Sequence, residues 1–431
     1  MVLTDIRAQT ADDLQARFQA WGQPPYRLSQ LLEWLYVHRV NQWEAMTNLP
    51  RTLREQLREH FTLQALELVR QQRSGDTAKF LWRLDDRSLI ESVLIPANPA
   101  LYGEPSDRHT LCLSTQVGCA YGCKFCASGL AGWKRNLRVE EIVNQVLAVE
   151  RWNEAEKSTA PPSPSRPGRE ACNKSPTGRA FIPRLPDGES SQPASVLDDG
   201  STAHTPPPEA RSSSQADSRL VTNLVIMGMG EPLANYENLL PALKILNAPW
   251  GGGIGARKIT ISTSGLAPQI RKLADEPLPF RLAISLQGAT DALRSRLMPV
   301  NRKYPLRELA AAGEYYQEKK GRRISFEYVL IAGVNDGLDQ VKPLAALARR
   351  LNAKVNLIPY NRVAGLPWAR PPPAAQQAFL QALAREQVAV TLRREKGHDL
   401  EAACGQLRLK TERELAELRK NTTPRAGDRW R

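Results

Sequence analysis

Three closely spaced cysteines are the residues of this chain that point most clearly to chemistry. Cys119, Cys123 and Cys126 lie in the run Cys-Ala-Tyr-Gly-Cys-Lys-Phe-Cys. Because thiolates are the usual ligands of iron–sulfur clusters, the C-x3-C-x2-C spacing predicts three ligands of a 4Fe–4S cube. With no fourth thiolate in the motif, one iron stays open to another ligand. The alternative is a zinc site completed by Cys112 or His109, although zinc sites more often use two separated pairs of ligands.

The other cysteines argue against a disulfide framework. The six cysteines lie at positions 112, 119, 123, 126, 172 and 404, so four of them fall within one short segment. Secreted disulfide scaffolds are short and dense in cysteine, whereas this chain has 431 residues. We therefore expect metal or redox chemistry in a reducing compartment, with Cys172 incidental to it.

Short apolar strands alternate with helices from residue 111 onward, a pattern typical of a parallel sheet covered by helices. Six strand–helix units predict an α/β fold, an incomplete (βα)6 barrel of TIM-like design. On this pattern alone, a doubly wound sheet remains an alternative. The predicted strands span residues 111–114, 223–227, 258–262, 281–286, 324–331 and 354–359. The predicted helices span residues 139–152, 235–247, 305–320, 338–351 and 373–385.

The cysteine motif follows the first predicted strand and precedes the first predicted helix of the barrel. It therefore lies on a loop at the carboxyl end of a parallel strand, where barrel enzymes place their catalytic groups. The second strand ends in Gly228-Met229-Gly230-Glu231, and its glycines allow a ligand to approach the backbone closely. The sequence thus predicts one site built from several strand ends.

The segments around the barrel predict further units. Residues 1–65 read as a helical accessory domain that binds RNA, because Arg51, Arg54 and Arg58 line one side of a helix; a solvated basic face is the alternative. Strands at 79–84 and 89–95 predict a β-hairpin linker. The predicted domain boundaries are 1–65 for the accessory domain, 66–105 for the linker, 106–407 for the barrel and 408–431 for a C-terminal tail.

One stretch within the barrel has the composition of a disordered chain. Residues 155–219 are rich in proline and serine and contain few large apolar side chains. Such a segment cannot bury enough apolar surface to offset the entropy lost on ordering. We expect a disordered insertion after the first barrel helix.

The charge of the chain favours a polyanionic partner. The formal net charge is +14 and the isoelectric point is about 9.6, a balance that attracts nucleic acid. No apolar run reaches the length of a membrane span and the start lacks an apolar signal core, so we expect a cytoplasmic protein without membrane contact. Trp133, Lys134, Arg135 and Arg138 could bind RNA phosphates and a stacked base; surface charge around a core tryptophan is the alternative.

Sequence blocks in a fixed order carry a resemblance to a known family. They read LCLSTQVGCAYGCKFCASGLAGWKRNLRVEEI, GMGEPLANY, ITISTSGL, LAISLQ, VNLIPYN and GHDLEAACGQL. The chain resembles the radical S-adenosylmethionine (SAM) enzymes, and within them the RlmN-type adenine-2-methyltransferases of 23S rRNA and tRNA. The resemblance runs from about Tyr26 to Leu407, interrupted by the insertion.

The resemblance implies radical chemistry, and the substrate explains why. Carbon 2 of adenine lies between two ring nitrogens and is not nucleophilic, so it cannot attack the methyl group of SAM directly. Cofactors carry radical chemistry that side chains cannot. By resemblance, Cys119, Cys123 and Cys126 bind one 4Fe–4S cluster, and two molecules of SAM are used in each turnover.

The resemblance also gives roles to three further residues. Cys404 takes a methyl group from one SAM, because a thiolate is a strong nucleophile. Cys112 is the resolving cysteine, whose attack on the Cys404 sulfur forms a disulfide and releases methylated RNA. Glu91, on a strand among apolar residues, matches the general base that takes the proton from carbon 2. From the residues alone, Cys112 could be a buried strand cysteine, Cys404 an inert turn residue and Glu91 an outward carboxylate.

The SAM pocket implied by the resemblance is formed by the strand ends. Two residues depart from the family pattern: Gln287 stands where histidine is usual, and Arg362 where proline is usual. Glutamine can donate and accept a hydrogen bond but cannot carry charge. The implied SAM-binding residues are Gly230, Glu231, Ser262, Ser285, Leu286, Gln287 and Asn361.

The implied partners are 23S rRNA, tRNA, an electron donor such as flavodoxin and a reductant for the disulfide, acting on a monomeric enzyme. Two alternatives remain at this point. A Cfr-like relative would methylate carbon 8 of the same adenine. A zinc-stabilised RNA-binding protein would have no catalytic activity.

Overall fold

A computed structural model of the chain describes residues 3–97, 108–130, 132–159, 219–393 and 405–422. Cys404, Cys172 and residues 160–218 of the predicted insertion lie outside the described residues.

The N-terminal residues form a small helical unit. Its elements are β1 (Thr4–Asp5), α1 (Ala11–Ala20), α2 (Tyr26–Tyr36), α3 (Arg51–His60) and β2 (Phe61–Thr62), and β1 pairs in parallel with β2. Helix α1 begins with a capping box formed by Thr10 and Asp13, which satisfies backbone N–H groups at the helix start. The apolar stripe of α2 and α3, with Leu31 and Leu57, is fully buried. The predicted helices of this region are therefore present.

A ten-stranded sheet forms the body of the chain, in the order β14-β13-β12-β11-β10-β9-β6-β5-β4-β3. Its members and the separate pair β7–β8 are β3 (Glu67–Ser74), β4 (Thr77–Arg83), β5 (Leu89–Pro96), β6 (His109–Cys112), β7 (Gln116–Gly118), β8 (Trp133–Asn136), β9 (Asn223–Ile226), β10 (Ile259–Thr263), β11 (Arg281–Ser285), β12 (Ser325–Leu330), β13 (Lys354–Pro359) and β14 (Val390–Leu392). Strands β6 and β9 to β14 run parallel, whereas β3, β4 and β5 are antiparallel.

Helices cover the parallel strands. They are α4 (Ala127–Leu130), α5 (Val139–Thr159), α6 (Tyr236–Asn247), α7 (Ala267–Asp275), α8 (Asp291–Leu297), α9 (Leu306–Lys320), α10 (Val341–Arg350), α11 (Pro373–Arg385) and α12 (Gln406–Thr422). The strand interiors are fully buried between these helices and the cavity, as at Ile284, Phe326 and Leu357. The predicted α/β fold, an incomplete barrel with an N-terminal accessory unit, is confirmed.

The structure adds to the predicted elements in three places. A seventh parallel strand, β14, extends the six predicted strands. The hairpin of β4 and β5 belongs to the main sheet, because β5 pairs with β6, so this region is continuous with the barrel sheet. Helix α5 continues to Thr159, so the first five residues of the predicted insertion, 155–159, are helical. Pairing between distant strands leaves no local pattern in a sequence, so the sequence did not predict that β4 and β5 belong to the main sheet.

An ion pair fastens the N-terminal unit to helix α5. The Arg39 guanidinium lies 3.7 Å from the Glu150 carboxylate, and both side chains are buried. Glu150 also accepts hydrogen bonds from the backbone N–H groups of Leu220 and Val221, at 3.1 and 2.8 Å. One carboxylate therefore joins the accessory unit, the first barrel helix and the chain that leads into β9.

Candidate active site

A cavity of about 620 Å³ opens at the carboxyl ends of the parallel strands. Cys119, Cys123 and Cys126 line it, as the sequence predicts, together with Cys112 from the end of β6. The six residues of the predicted SAM pocket that also line the cavity are Gly230, Glu231, Ser262, Ser285, Gln287 and Asn361. The fold therefore gathers residues from the length of the barrel into one site.

The loop that carries the three cysteines is held by backbone hydrogen bonds on both sides. The Cys119 N–H donates to the Gly132 carbonyl at 3.1 Å, and the Lys124 N–H donates to the Leu297 carbonyl at 2.9 Å. Trp368 donates its indole N–H to the Lys124 carbonyl at 3.1 Å. Gly122 has a φ of +56°, which a residue with a side chain adopts at a cost. The loop is thus fixed with its thiols toward the cavity.

Burial and mutual repulsion disfavour thiolates in this loop in the absence of a cation. Desolvation raises the pKa of the Cys119 thiol to about 12, and the neighbouring Cys126 adds to the shift. Desolvation also raises the pKa of Cys123 well above its usual value, while the nearby Arg294 guanidinium lowers it. A bound metal cluster would offset this cost, because metal ligation deprotonates thiols. The three cysteines therefore fit a cationic iron–sulfur cluster.

The geometry offers no support for the zinc alternative. Within the described residues, no three His, Cys, Asp or Glu side chains are arranged to hold one metal ion. A cube is bound in another way, since each thiolate takes its own iron and the thiolates need not converge on one point. His109 lies on β6 and does not line the cavity.

Two glycines permit close packing of the chain at the end of β9, beside the cysteine loop. A Cβ on Gly230, whose φ is +101°, would lie 2.6 Å from the Gln116 Cβ. A Cβ on Gly228 would lie 2.6 Å from the Leu113 carbonyl oxygen. Gln116 in turn accepts the Glu231 N–H at 2.9 Å. The close packing of this turn holds Glu231 at the cavity wall, where only glycine permits the backbone to pass.

Glu231 is the buried carboxylate of the predicted SAM pocket. It accepts the Ser264 N–H at 2.6 Å and the Leu233 N–H at 3.1 Å. Burial raises the pKa of Glu231, and these hydrogen bonds offset only part of the rise. Because each carboxylate oxygen has two acceptor sites, Glu231 can still accept from an ammonium group in the cavity.

The fourth-strand motif divides between the cavity and the core. Leu286 is fully buried and does not line the cavity; its N–H donates to Glu327 and its carbonyl accepts from Arg294. Its backbone N–H and carbonyl are therefore both hydrogen-bonded inside the barrel, and its contact with SAM stays a prediction. Gln287 lines the cavity with a φ of +57°, and its side-chain oxygen accepts the Val329 N–H at 2.5 Å. The Gln287 side chain therefore accepts a hydrogen bond from the backbone of β12.

Glu91, which the resemblance makes the general base, lies in the protein interior outside the cavity lining. It is only 2% exposed and does not line the cavity. Its carboxylate accepts the Gly405 N–H at 2.9 Å and the Arg408 N–H at 2.7 Å, and it lies 3.1 Å from the Lys79 ammonium. The residue after Cys404 is therefore held against β5, the strand beside Cys112. The sequence did not predict these contacts: Gly405 and Arg408 lie more than 300 residues from Glu91, and Lys79 meets it across the β4–β5 pair.

The basic residues that follow the cysteine motif are paired with acids. Lys134 lies 3.4 Å from Glu412. Arg135 contacts Asp86 and Glu141, and Arg138 contacts Asp85, Glu140 and Glu141. Trp133 is half exposed, so it is not the core tryptophan of the alternative interpretation. These three cations therefore have carboxylate partners in the protein, and their binding to phosphate stays a prediction.

Arg294 is a buried residue behind the cysteine loop, without a sequence signal of its own. Its guanidinium is fully buried and donates to the Asn301 side chain at 2.7 Å and to the carbonyls of Ser264 and Leu286. It is electrostatically coupled to Cys123. An arginine in this place links the ends of β10 and β11 to the turn between α8 and α9, and supplies positive charge near Cys123.

The fold and the site define a radical SAM enzyme. The barrel sheet, the loop of three cysteines and the glycine-lined pocket agree with a match of residues 213–344 to the family model described as Radical SAM superfamily. Residues 4–63 match the Ribosomal RNA large subunit methyltransferase N-terminal domain. The cofactors of this class are a 4Fe–4S cluster and SAM.

Relatives narrow the assignment. The chain is 47% identical over 414 residues to the "Probable dual-specificity RNA methyltransferase RlmN 3" of Opitutus terrae, with 96% of each chain covered. It is 42% identical over 410 residues to the "Probable dual-specificity RNA methyltransferase RlmN" of Akkermansia muciniphila, covering 95% of this chain and 96% of the relative. A crystal structure of a radical SAM methyltransferase from Sphaerobacter thermophilus matches with a TM-score of 0.74 and 37% identity, covering 94% and 98% of the two chains. The chain belongs to the RlmN family of RNA methyltransferases.

Membership in this family confirms several expectations. The protein is a SAM-dependent RNA methyltransferase, so the non-catalytic zinc alternative and the doubly wound sheet are set aside. Among the described helices, none combines the length and the apolar character that a membrane crossing needs.

Proposed function

We propose that the protein methylates carbon 2 of an adenosine in 23S rRNA, at the peptidyl transferase centre, and in the anticodon loop of tRNA. The observation that carries this proposal is the meeting of Cys112 with the three cluster cysteines in one cavity. The names of the relatives, which describe dual-specificity RNA methyltransferases, support two kinds of RNA substrate.

The residues of the cavity would hold both cofactors. Cys119, Cys123 and Cys126 bind the cluster through their thiolates, and Glu231 accepts from the SAM ammonium group. A bound cluster with two SAM molecules per turnover supplies the radical chemistry that carbon 2 requires. Gly230 admits the ligand to the strand end, while Ser262, Ser285, Gln287 and Asn361 offer polar groups around it.

Two cysteines of the chain perform the covalent steps. Cys404 carries the carbon as a methyl thioether. The radical that SAM would supply removes one hydrogen atom from this methyl group, the carbon bonds to carbon 2 of adenine, and the adduct gives back one electron to the cofactor as it loses the carbon 2 proton. Once the carbon 2 proton has left, which the family resemblance assigns to Glu91, the Cys112 thiolate attacks the Cys404 sulfur. The carbon–sulfur bond breaks, its electron pair stays with carbon and takes a proton, and a disulfide forms. A thiol reductant then restores both cysteines.

Further partners belong to the same proposal. The cluster needs a one-electron donor such as flavodoxin. We place the enzyme in the cytoplasm, because its RNA substrates and a reducing thiol pool are there. We propose that it acts as a monomer.

Anaerobic reconstitution tests the proposal. The cluster-loaded protein is assayed with SAM and a chemical reductant on protein-free 23S rRNA and on tRNA, and the nucleosides are identified by mass spectrometry. We expect 2-methyladenosine from both RNAs, and a methylated Cys404 peptide in protein isolated from cells. Cys172→Ala serves as the matched control and should remain active. 8-Methyladenosine would indicate Cfr-like chemistry, and no methylation by fully loaded protein would overturn the proposal.

A further inference from the structure

Three loops at the mouth of the cavity carry positive charge and no acid. They are residues 119–130, which hold the cluster cysteines, residues 296–304 at the end of α8, and residues 360–372 after β13. None of the three contains Asp or Glu. Charge of one sign beside a cleft attracts a partner of the opposite charge. The cations on these loops are Lys124, Arg296, Arg302, Lys303, Arg362 and Arg370.

Hydrogen bonds hold the three loops together as one surface, which we call the mouth surface. The Lys124 N–H donates to the Leu297 carbonyl at 2.9 Å, and the Lys124 carbonyl accepts from the Trp368 indole at 3.1 Å. Met298 of the second loop and Asn361 of the third line the cavity, as the cluster cysteines do. The mouth surface is therefore continuous with the wall of the site.

Three cations of the mouth surface are available to a ligand. Arg302, Lys303 and Arg362 are exposed, and within the described part of the chain no ion pair joins them to a carboxylate. The basic residues that follow the cysteine motif, by contrast, contact acids of the protein. A phosphate group can therefore bind the three cations without displacing an internal acid.

Aromatic rings lie among these cations. Tyr121, Tyr304 and Trp368 are partly buried, and Tyr121 lines the cavity. The Lys303 ammonium lies 5.4 Å from the centre of the Tyr304 ring. Proteins bind single-stranded RNA by contacting its phosphates with cations and by stacking its bases on aromatic rings. A duplex keeps its bases stacked inside, so this combination favours unpaired RNA.

The size of the cavity decides which part of the RNA stays outside. Its volume is about 620 Å³, and in the proposed function it holds the cofactors as well as the target adenine. Enzymes that modify a base take that nucleotide out of the stack and into a pocket. The neighbouring nucleotides of the same strand then lie on the surface that surrounds the entrance.

We propose that the mouth surface binds the phosphates of the unpaired RNA segment that flanks the target adenosine, through Arg302, Lys303 and Arg362. This inference rests on the proposed function for the target base. It adds the surface on which the RNA lies and the single-stranded form in which the RNA is bound.

The salt dependence of RNA binding counts these contacts without turnover. Cluster-loaded wild type and the triple variant Arg302→Gln/Lys303→Gln/Arg362→Gln are titrated with a fluorescent RNA hairpin that has an adenosine in its loop, over a series of salt concentrations. Each contact to a single strand contributes about 0.7 to the slope of log affinity against log salt. We expect the slope of the triple variant to be smaller by about 2, since three contacts are lost. Lys124 is left unchanged because it lies between two cluster ligands.

A matched control removes the same side chains at the opposite edge of the sheet. Arg257, Lys258 and Arg281 are exposed and lie where β10 and β11 begin. Arg257→Gln/Lys258→Gln/Arg281→Gln changes the net charge equally and should keep the wild-type slope. Equal slopes for the mouth variant and this control would overturn the proposal. An equal loss of slope on a blunt RNA duplex would overturn the preference for unpaired RNA.

Single variants keep the test decisive if the triple variant folds poorly or loses its cluster, which circular dichroism and the cluster absorbance detect. Lys303→Gln and Arg362→Gln should each lower the slope by about 0.7, and unchanged slopes in both would contradict the proposal. Failure of the proposed function is a separate result. Loaded wild type that binds the hairpin but forms no 2-methyladenosine would overturn that function, while the salt slopes would still decide the role of the mouth surface.

Discussion

Arg7 of the N-terminal unit donates a hydrogen bond of 3.0 Å to the side-chain oxygen of Asn144 on helix α5. The same guanidinium donates to the backbone carbonyls of Gln64 and Val40. Arg7 is fully buried, and burial lowers its pKa although Asp5 lies beside it. One cation therefore joins the segments that follow α2 and β2 to the first barrel helix, which packs the accessory unit against the barrel.

Replacing Arg7 by methionine should loosen this junction. Arg7→Met keeps the length of the side chain but leaves three acceptors and Asp5 without their cation, a loss of about 3 kcal/mol for a buried charge network. We expect urea unfolding to begin at a lower concentration, measured by circular dichroism. Arg51→Met, at an exposed ion pair of α3, should leave the curve unchanged. Equal curves for wild type and Arg7→Met would show that the docking does not depend on Arg7.

Gly230→Ala should weaken SAM binding. The added Cβ would lie 2.6 Å from the Gln116 Cβ, and the φ of +101° strains any L side chain. Since Gln116 holds the Glu231 backbone, we expect the dissociation constant for SAM to rise by about tenfold, roughly the cost of one misplaced charged hydrogen bond. Equilibrium dialysis on cluster-loaded protein measures it. Gly75→Ala, at another positive φ with open space around it, is the matched control, and unchanged binding in Gly230→Ala would exclude this turn from the pocket.

Glu140 at the start of α5 should make stability depend on pH. Burial raises its pKa to about 7, and outweighs the attraction of Arg138, whose Nε lies 2.6 Å away. Because the pKa is higher in the folded state, the protonated form stabilises the fold; this contribution is present below pH 4.5 and is lost as the pH rises through 7.

Glu140→Gln removes that titration. The variant should gain stability relative to wild type at pH 8, by about 3 kcal/mol if the whole shift is expressed, and little at pH 4. Urea unfolding at both values measures the difference. Glu237→Gln, at an exposed ion pair with Lys272, provides the comparison and should show no such change between the two pH values. A pH-independent difference for Glu140→Gln would contradict the raised pKa.

Local patterns in the sequence predicted the barrel and the cysteine loop well. The runs 281–286 and 354–359 correspond to β11 and β13, because their apolar residues, such as Ile284 and Leu357, are buried in the sheet. The position of Cys119, Cys123 and Cys126 between a predicted strand and a predicted helix also indicated that their loop lies at a strand end.

Contacts between distant segments could not be predicted in this way. Glu91 meets Gly405 across 314 residues, and nothing in the neighbourhood of either residue specifies the other. Arg135 looked available for phosphate, but Asp86 from the β4–β5 turn reaches it at 2.7 Å. A sequence shows which residues are charged but not which of them form ion pairs. A basic run therefore predicts an RNA-binding surface only when the fold leaves its residues unpaired.

Cys112→Ala should trap the enzyme on its substrate. Cys112 lines the cavity that holds the cluster cysteines, and in the proposed mechanism its thiolate is the group that breaks the Cys404–carbon bond. Without it, the bond to adenine can form but cannot be resolved. We expect a protein–RNA adduct that survives denaturing gels and less than one methylated RNA per enzyme, whereas Cys172→Ala turns over normally. If Cys112→Ala released 2-methyladenosine-containing RNA at the wild-type rate, another group would have to resolve the adduct.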